Sequence, residues 1–193
     1  MDFAAELGYT IKLLGIARQT KKGIEQRVHP CMVPIHSPLG SVDGVNNAIV
    51  IEGDSVGRVI FEGWGAGAGP TASAVVADII DIARGVDYNV FTLPVSRLKD
   101  LPVSPVEEVA SSYFIRLTVV DRPGVLAEVT SIFRDEKISM RSFLQHSHQP
   151  EESVQLVLTT HETRESAMRK ALTKIAALGS VKAKPHMIRI EHL

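Results

Sequence analysis

The stretch YFIRLTVVDRPGVLAEVTSIFR, Tyr113–Arg134, carries the reading of the fold. Its opening part alternates and is rich in β-branched and aromatic side chains, which predicts a strand over Tyr113–Val120. Asp121–Gly124 is turn chemistry. Val125, Leu126, Val129, Ile132 and Phe133 then recur at helical spacing and predict a helix over Val125–Arg134. Downstream, Ile138–His146 and Ser153–Thr160 read as strands around a polar turn, His148–Glu152. Glu165–Leu178 is helical through Ala167, Met168, Ala171, Leu172 and Ile175, and Met187–Ile190 reads as a last strand. The order β-α-β-β-α-β is the split βαβ arrangement of a ferredoxin-like domain.

Upstream the pattern is strand-rich. Ile11–Arg18, Ile24–Pro34, Val45–Gly53 and Gly57–Gly63 each read as a strand bounded by Gly, Pro, Asp or Lys. The segment between Glu52 and Gly57 signals a hairpin, with Gly53 and Gly57 able to take positive φ. Thr71–Arg84 reads as a long helix, apolar around most of its circumference, with Asp78, Asp81 and Arg84 on the remaining face. Such a helix requires cover on more than one side, and few strands are available to supply it. The class is therefore α+β: a partial antiparallel sheet with one long helix, then the ferredoxin-like unit. Residues 87–111 hold three prolines and no sustained period, which predicts a linker between domains at 1–86 and 112–193.

Composition bounds the function. The chain has 193 residues, 45% hydrophobic and 22% charged, with a formal net charge of −1. That balance excludes a strongly basic nucleic-acid binder and a disordered acidic tail. Residues 1–86 carry 7 basic and 9 acidic side chains, and residues 112–193 carry 12 and 9, a difference too small to imply a polyanion partner. The longest apolar runs fall short of the roughly 18 residues a membrane span needs. Residues 1–20 show no basic segment followed by an apolar one, so no secretory signal is read. The lone Cys31 excludes an internal disulfide and a cysteine-based zinc or iron–sulfur site. These features predict a soluble cytoplasmic protein.

Two segments carry candidate chemistry. In Asp121–Leu126, Pro123 suits a first helical turn and Gly124 allows close approach of a ligand or second backbone. The N–H groups of Gly124, Val125 and Leu126, at the positive end of the helix, suit a carboxylate. The same residues also make a plain strand-to-helix turn with no ligand. In Gly63–Thr71, GWGAGAGPT, a dinucleotide fingerprint fails, because no strand ending in Asp or Glu follows about 20 residues on. A P-loop is excluded for want of Gly-Lys-Ser/Thr. What remains is a small-residue backbone that either a cofactor or another domain could approach. His146, His148 and His161 lie in or near a polar turn without a carboxylate or cysteine to complete a set, so no metal site is expected.

Residues 112–193, with TVVDRPGVLAEVTSIFRDEKISMRSFLQ on the βαββαβ frame, resemble an ACT domain. The resemblance implies a small amino-acid effector held by Asp121, Gly124, Val125 and Leu126, completed from a partner chain by the second strand, including Gln145. FAAELGYTIKLLGIARQ, GIEQRVHPCMVPIHSPLGSVDGVNNAIVIEGD and GRVIFEGWGAGAGPTASAVVADIIDIAR resemble the last part of bacterial homoserine dehydrogenase. This second resemblance implies interconversion of L-aspartate 4-semialdehyde and L-homoserine with NAD(P)(H), feedback by threonine, and assembly as a homo-oligomer. It places Gly65, Ala66 and Gly67 near the nicotinamide end of the cofactor. It makes His29 a weak catalytic candidate, with a structural role equally open. The nucleotide-binding half and the family's catalytic lysine are not in this sequence, and Lys12 is not that lysine. No dehydrogenase activity is expected from the chain alone. Three readings stand: a C-terminal fragment of the enzyme, a stand-alone amino-acid-binding regulator, and a subunit completing a separately encoded nucleotide-binding chain.

Overall fold

The computed structural model describes residues 2–86, 93–146 and 153–192. The expected turn at His148–Glu152 and the start of the linker lie outside them. The elements in chain order are α1 (Asp2–Glu6), β1 (Tyr9–Thr20), β2 (Gly23–Pro34), β3 (Asn46–Gly53), β4 (Gly57–Trp64) and α2 (Ala68–Ala83). There follow β5 (Ala110–Val120), α3 (Val125–Asp135), β6 (Met140–His146), β7 (Ser153–Thr160), β8 (Thr163–Arg164), α4 (Glu165–Ala176) and β9 (His186–Ile190).

The chain forms two compact units, and they are not consecutive segments: residues 1–35 join residues 102–193, and residues 36–101 form the other. The larger unit is built on a sheet of order β1-β2-β9-β5-β7-β6, with β8 beside β5. The part β9-β5-β7-β6, with α3 and α4, is the ferredoxin-like arrangement read from the sequence. The hairpin β1–β2 extends it, because β2 pairs in parallel with β9 at Cys31↔Arg189 and Met32↔Ile190. Composition suggests boundaries near residues 86 and 112, and strand pairing instead carries the first hairpin across to the C-terminal sheet. The expected partial antiparallel sheet is realised as two hairpins in different units, β1–β2 and β3–β4.

Both faces of the central strands are covered. On one side Ile115 and Leu117 of β5, Leu158 of β7, Phe133 of α3 and Met168 and Ile175 of α4 form the main core. On the other, Phe114, Val157, Met32 and Ile190 pack with Ala4 of α1. This explains the unbroken apolar run Tyr113-Phe114-Ile115, since a strand buried on both faces loses its alternation.

The smaller unit holds the β3–β4 hairpin, closed at Gly53↔Gly57; of the two glycines only Gly57 takes positive φ, at +72°. Helix α2 starts at Ala68 rather than Thr71. Pro70 falls within its first turn, where the missing N–H has no intrahelical partner to lose. No residue of α2 is buried, and Ile79 and Ile82 are 58% and 77% exposed.

Pro123 does not enter α3, which begins at Val125 behind Gly124 in a left-handed conformation (φ +96°). Helix α3 ends with Lys137 at φ +58°, its N–H donating to the Arg134 carbonyl, and Ile138 N–H donating to Phe133. This is a Schellman closure made with lysine where glycine is usual. It delays the next strand from Ile138 to Met140. Among the described residues, no helix is long and apolar enough to cross a membrane.

Candidate functional site

The Asp121–Leu126 loop joins β5 to α3 on the surface. Gly124, which caps α3, has no side chain to accept a hydrogen bond from the first turn, and no other side chain does so. The first-turn donors therefore remain available to an anion. Asp121, Gly124 and Leu126 are exposed, whereas Val125 is 4% exposed and points into the main core. Val125 can offer only its backbone. The loop is braced from below, because Glu128 accepts from Arg122 at 3.2 Å and from the Ser180 hydroxyl at 2.6 Å. Gln145 is exposed on β6, the edge strand of the sheet, opposite Leu156 and therefore on the helix-bearing face.

At the glycine segment, the Gly65 N–H donates to the Val45 carbonyl at 2.9 Å, and a Cβ on Gly65 would overlap the Asn47 side-chain amide. A side chain at 65 would first have to displace the exposed Asn47 side chain. Gly67 holds φ +125° at the head of α2, and its carbonyl accepts from Thr71. Gly65, Ala66 and Gly67 are all exposed. The geometry fits the close backbone approach a nicotinamide cofactor would make, as one wall of a site.

His29 lies on β2, half-buried, with Nδ1 3.2 Å from the Pro30 carbonyl and 3.1 Å from Cys31 Sγ. Burial lowers its pKa, against the opposing effect of a hydrogen bond to the Pro30 carbonyl. Burial and the nearby Glu191 carboxylate push the Cys31 thiol up to about 12. A buried neutral thiol beside this imidazole is a packed pair and not an activated nucleophile. His29, Cys31 and Glu191 bring donor atoms within 4.8 Å of one another, but Glu191 is held by Arg27 at 2.6 Å. The guanidinium already supplies the counter-charge of that carboxylate. His161 is exposed, and the His146 and His148 side chains lie outside the described residues.

Sequence reasoning missed the buried ionic groups along β9. Glu165, fully buried at the start of α4, accepts from Tyr113 Oη (2.8 Å), Arg189 Nε (3.0 Å) and Arg169 Nε (2.9 Å). Burial pushes its carboxyl up, and the hydrogen bonds from Arg189 and Tyr113 outweigh that, holding it below the usual carboxylate range. The same burial raises the Tyr113 phenol. Two residues along β9, Arg27 of β2 is wedged between Glu25 and Glu191. Two charged residues at alternate positions, Arg189 and Glu191 in MIRIE, were the available signal, and they name no partner.

Residues 1–80 match the family model described as homoserine dehydrogenase, and residues 113–180 match that of the ACT domain. A homoserine dehydrogenase of Neisseria gonorrhoeae is 41% identical over 100% of this chain and 46% of its own length. The Helicobacter pylori enzyme is 42% identical over 100% of this chain and 45% of its own. A homoserine dehydrogenase structure from Thiobacillus denitrificans superposes with a TM-score of 0.87 at 43% identity, covering 99% of this chain and 44% of that one. The chain thus spans somewhat under half the length of these relatives. The chain is thus a homoserine dehydrogenase segment at residues 1–80 followed by an ACT domain at 113–180, and over its whole length it matches the C-terminal part of homoserine dehydrogenases.

Proposed function

We propose that this chain supplies the end of the catalytic and dimerisation domain, together with the effector domain, of an NAD(P)-dependent homoserine dehydrogenase. The reaction is the interconversion of L-aspartate 4-semialdehyde and L-homoserine, with threonine as the feedback effector. The observation that carries this reading is the end-to-end match, in sequence and in fold, to a homoserine dehydrogenase structure at TM-score 0.87. When bound, NAD(P) gives or takes the hydride. This chain's part is to bring the Gly65–Gly67 backbone against it without a side chain intervening. No positioned acid–base group supports catalysis by these residues alone, since the His29 Nδ1 is engaged within its own strand by the Pro30 carbonyl and Cys31 Sγ. The exposed apolar face of α2 supports contact with a nucleotide-binding domain. The Asp121–Leu126 turn, with Gln145 from a second copy, holds the carboxylate and side chain of threonine.

The test combines activity and binding. The chain alone should not oxidise homoserine with NADP. Coexpression with the N-terminal half of the Neisseria gonorrhoeae relative should restore the reaction. Calorimetry should show saturable threonine binding that is lost in G124V, and sedimentation should show a homo-oligomer. Activity from the isolated chain would overturn the division of labour. Threonine binding without any complementation would favour a stand-alone regulator.

A further inference from the structure

The outer face of the larger unit's sheet, opposite α3 and α4, holds a cavity of about 170 Å³ that the function above does not use. It is lined by residues of α1 and of β1, β2, β5 and β9, which lie in one sheet. Phe3, Ile11, Met32 and Phe114 line its apolar part, and Arg116 and His186 line the rest. Arg116 and His186 are register partners across β5 and β9, so their side chains leave the sheet side by side on the same face. Neither side chain makes an ion pair or hydrogen bond with a described residue, and no carboxylate of a described residue lines the cavity. Every other largely buried arginine of this unit has an acid: Arg27 has Glu25 and Glu191, and Arg189 has Glu165. Two adjoining basic groups without a counter-charge, at one end of an apolar cavity, complement a molecule with one anionic end and one apolar end.

We propose that this cavity is a binding site for a small aliphatic monocarboxylate. The carboxylate accepts from the Arg116 guanidinium and the His186 ring, and the alkyl group lies against Ile11, Met32 and Phe114. At roughly 30 Å³ per water, the space holds about five or six water-sized groups, which limits the ligand to a short chain. His186 is exposed, so this end of the cavity opens to solvent; a zwitterionic amino acid fits poorly there, because its ammonium would lie beside the Arg116 guanidinium with no acid in the lining to receive it. The site is thus chemically distinct from the threonine site at Asp121–Leu126, and it does not depend on that assignment.

The test is calorimetry of the 193-residue chain with isovalerate as probe. One saturable site is expected. The neutral isostere 3-methylbutan-1-ol and the zwitterion leucine should each bind at least about tenfold more weakly, because each lacks or offsets the charged hydrogen bond. R116M, which keeps the bulk and removes the charge, should weaken isovalerate by a similar factor while its circular dichroism stays unchanged. I11W should block binding with Arg116 intact. Saturating threonine should leave the isovalerate isotherm unmoved. The proposal is overturned if isovalerate does not saturate at tens of millimolar, if the alcohol binds equally well, if R116M is without effect, or if threonine competes.

Discussion

Replacing Arg27 by methionine tests whether the first hairpin is held to the C-terminal sheet by charge. The parallel pairing of β2 with β9 is short, with only Cys31↔Arg189 and Met32↔Ile190 in register. The side chains therefore carry much of the junction. The Arg27 guanidinium, 5% exposed, donates to Glu191 Oε1 at 2.6 Å and touches Glu25, whose side chains are 7% and 10% exposed. R27M keeps most of the volume and leaves two buried carboxylates without a counter-charge. Breaking a buried pair from one side costs about 3–5 kcal/mol. At a urea dependence of about 2 kcal/mol/M, the midpoint of unfolding should fall by about 1.5–2.5 M at pH 7. The triple variant R27M/E25Q/E191Q removes the stranded charges along with their partner, and it should recover most of that loss. A midpoint change under about 0.5 M in R27M would refute the reasoning. So would a triple variant as unstable as the single, because lost packing and not unpaired charge would then be the cause.

Three further outcomes follow from other sites. Glu165 has a folded-state pKa below its ordinary value of 4.5, so its contribution to stability is present above that value and is lost as pH falls through the folded value. The stability gap between the native chain and E165Q, measured by urea unfolding at stepped pH, should be constant from pH 7 to 5 and narrow as pH falls below 4.5; a gap that does not narrow there would contradict this. K137G should stabilise the protein by about 0.5–1 kcal/mol in thermal unfolding, since Lys137 sits at φ +58° in a closure that suits glycine; destabilisation would show that its side chain has a role the backbone does not reveal. I80K should change stability by less than about 0.5 kcal/mol when followed by the fluorescence of Trp64, the single tryptophan, because no residue of α2 is buried; a loss above about 2 kcal/mol would show that α2 is covered within the chain.

Local chemistry determined most of the elements. The β-branched and aromatic content of Tyr113–Val120, helical spacing through Val125–Phe133 and Glu165–Ile175, and glycines at 57 and 124 are properties of neighbouring residues. The βαββαβ unit and both candidate loops could therefore be read directly. The apolar circumference of α2 likewise signalled a face without cover, and it stands exposed. Within the effector loop, the inward turn of Val125 was not legible, because which residue of a cap faces the core depends on where the helix starts. Tertiary structure alone decided that residues 1–35 belong with residues 102–193. That outcome rests on one strand choosing the edge of another far along the chain, and on Arg27 meeting Glu191 across a sequence separation of 164. Periodicity reports which face of a strand is buried, but it carries no record of the neighbour. Register and counter-charge are fixed only when the chain closes on itself, and so the junction, the ion pairs that seal it and the cavity beside it emerge only in the folded molecule.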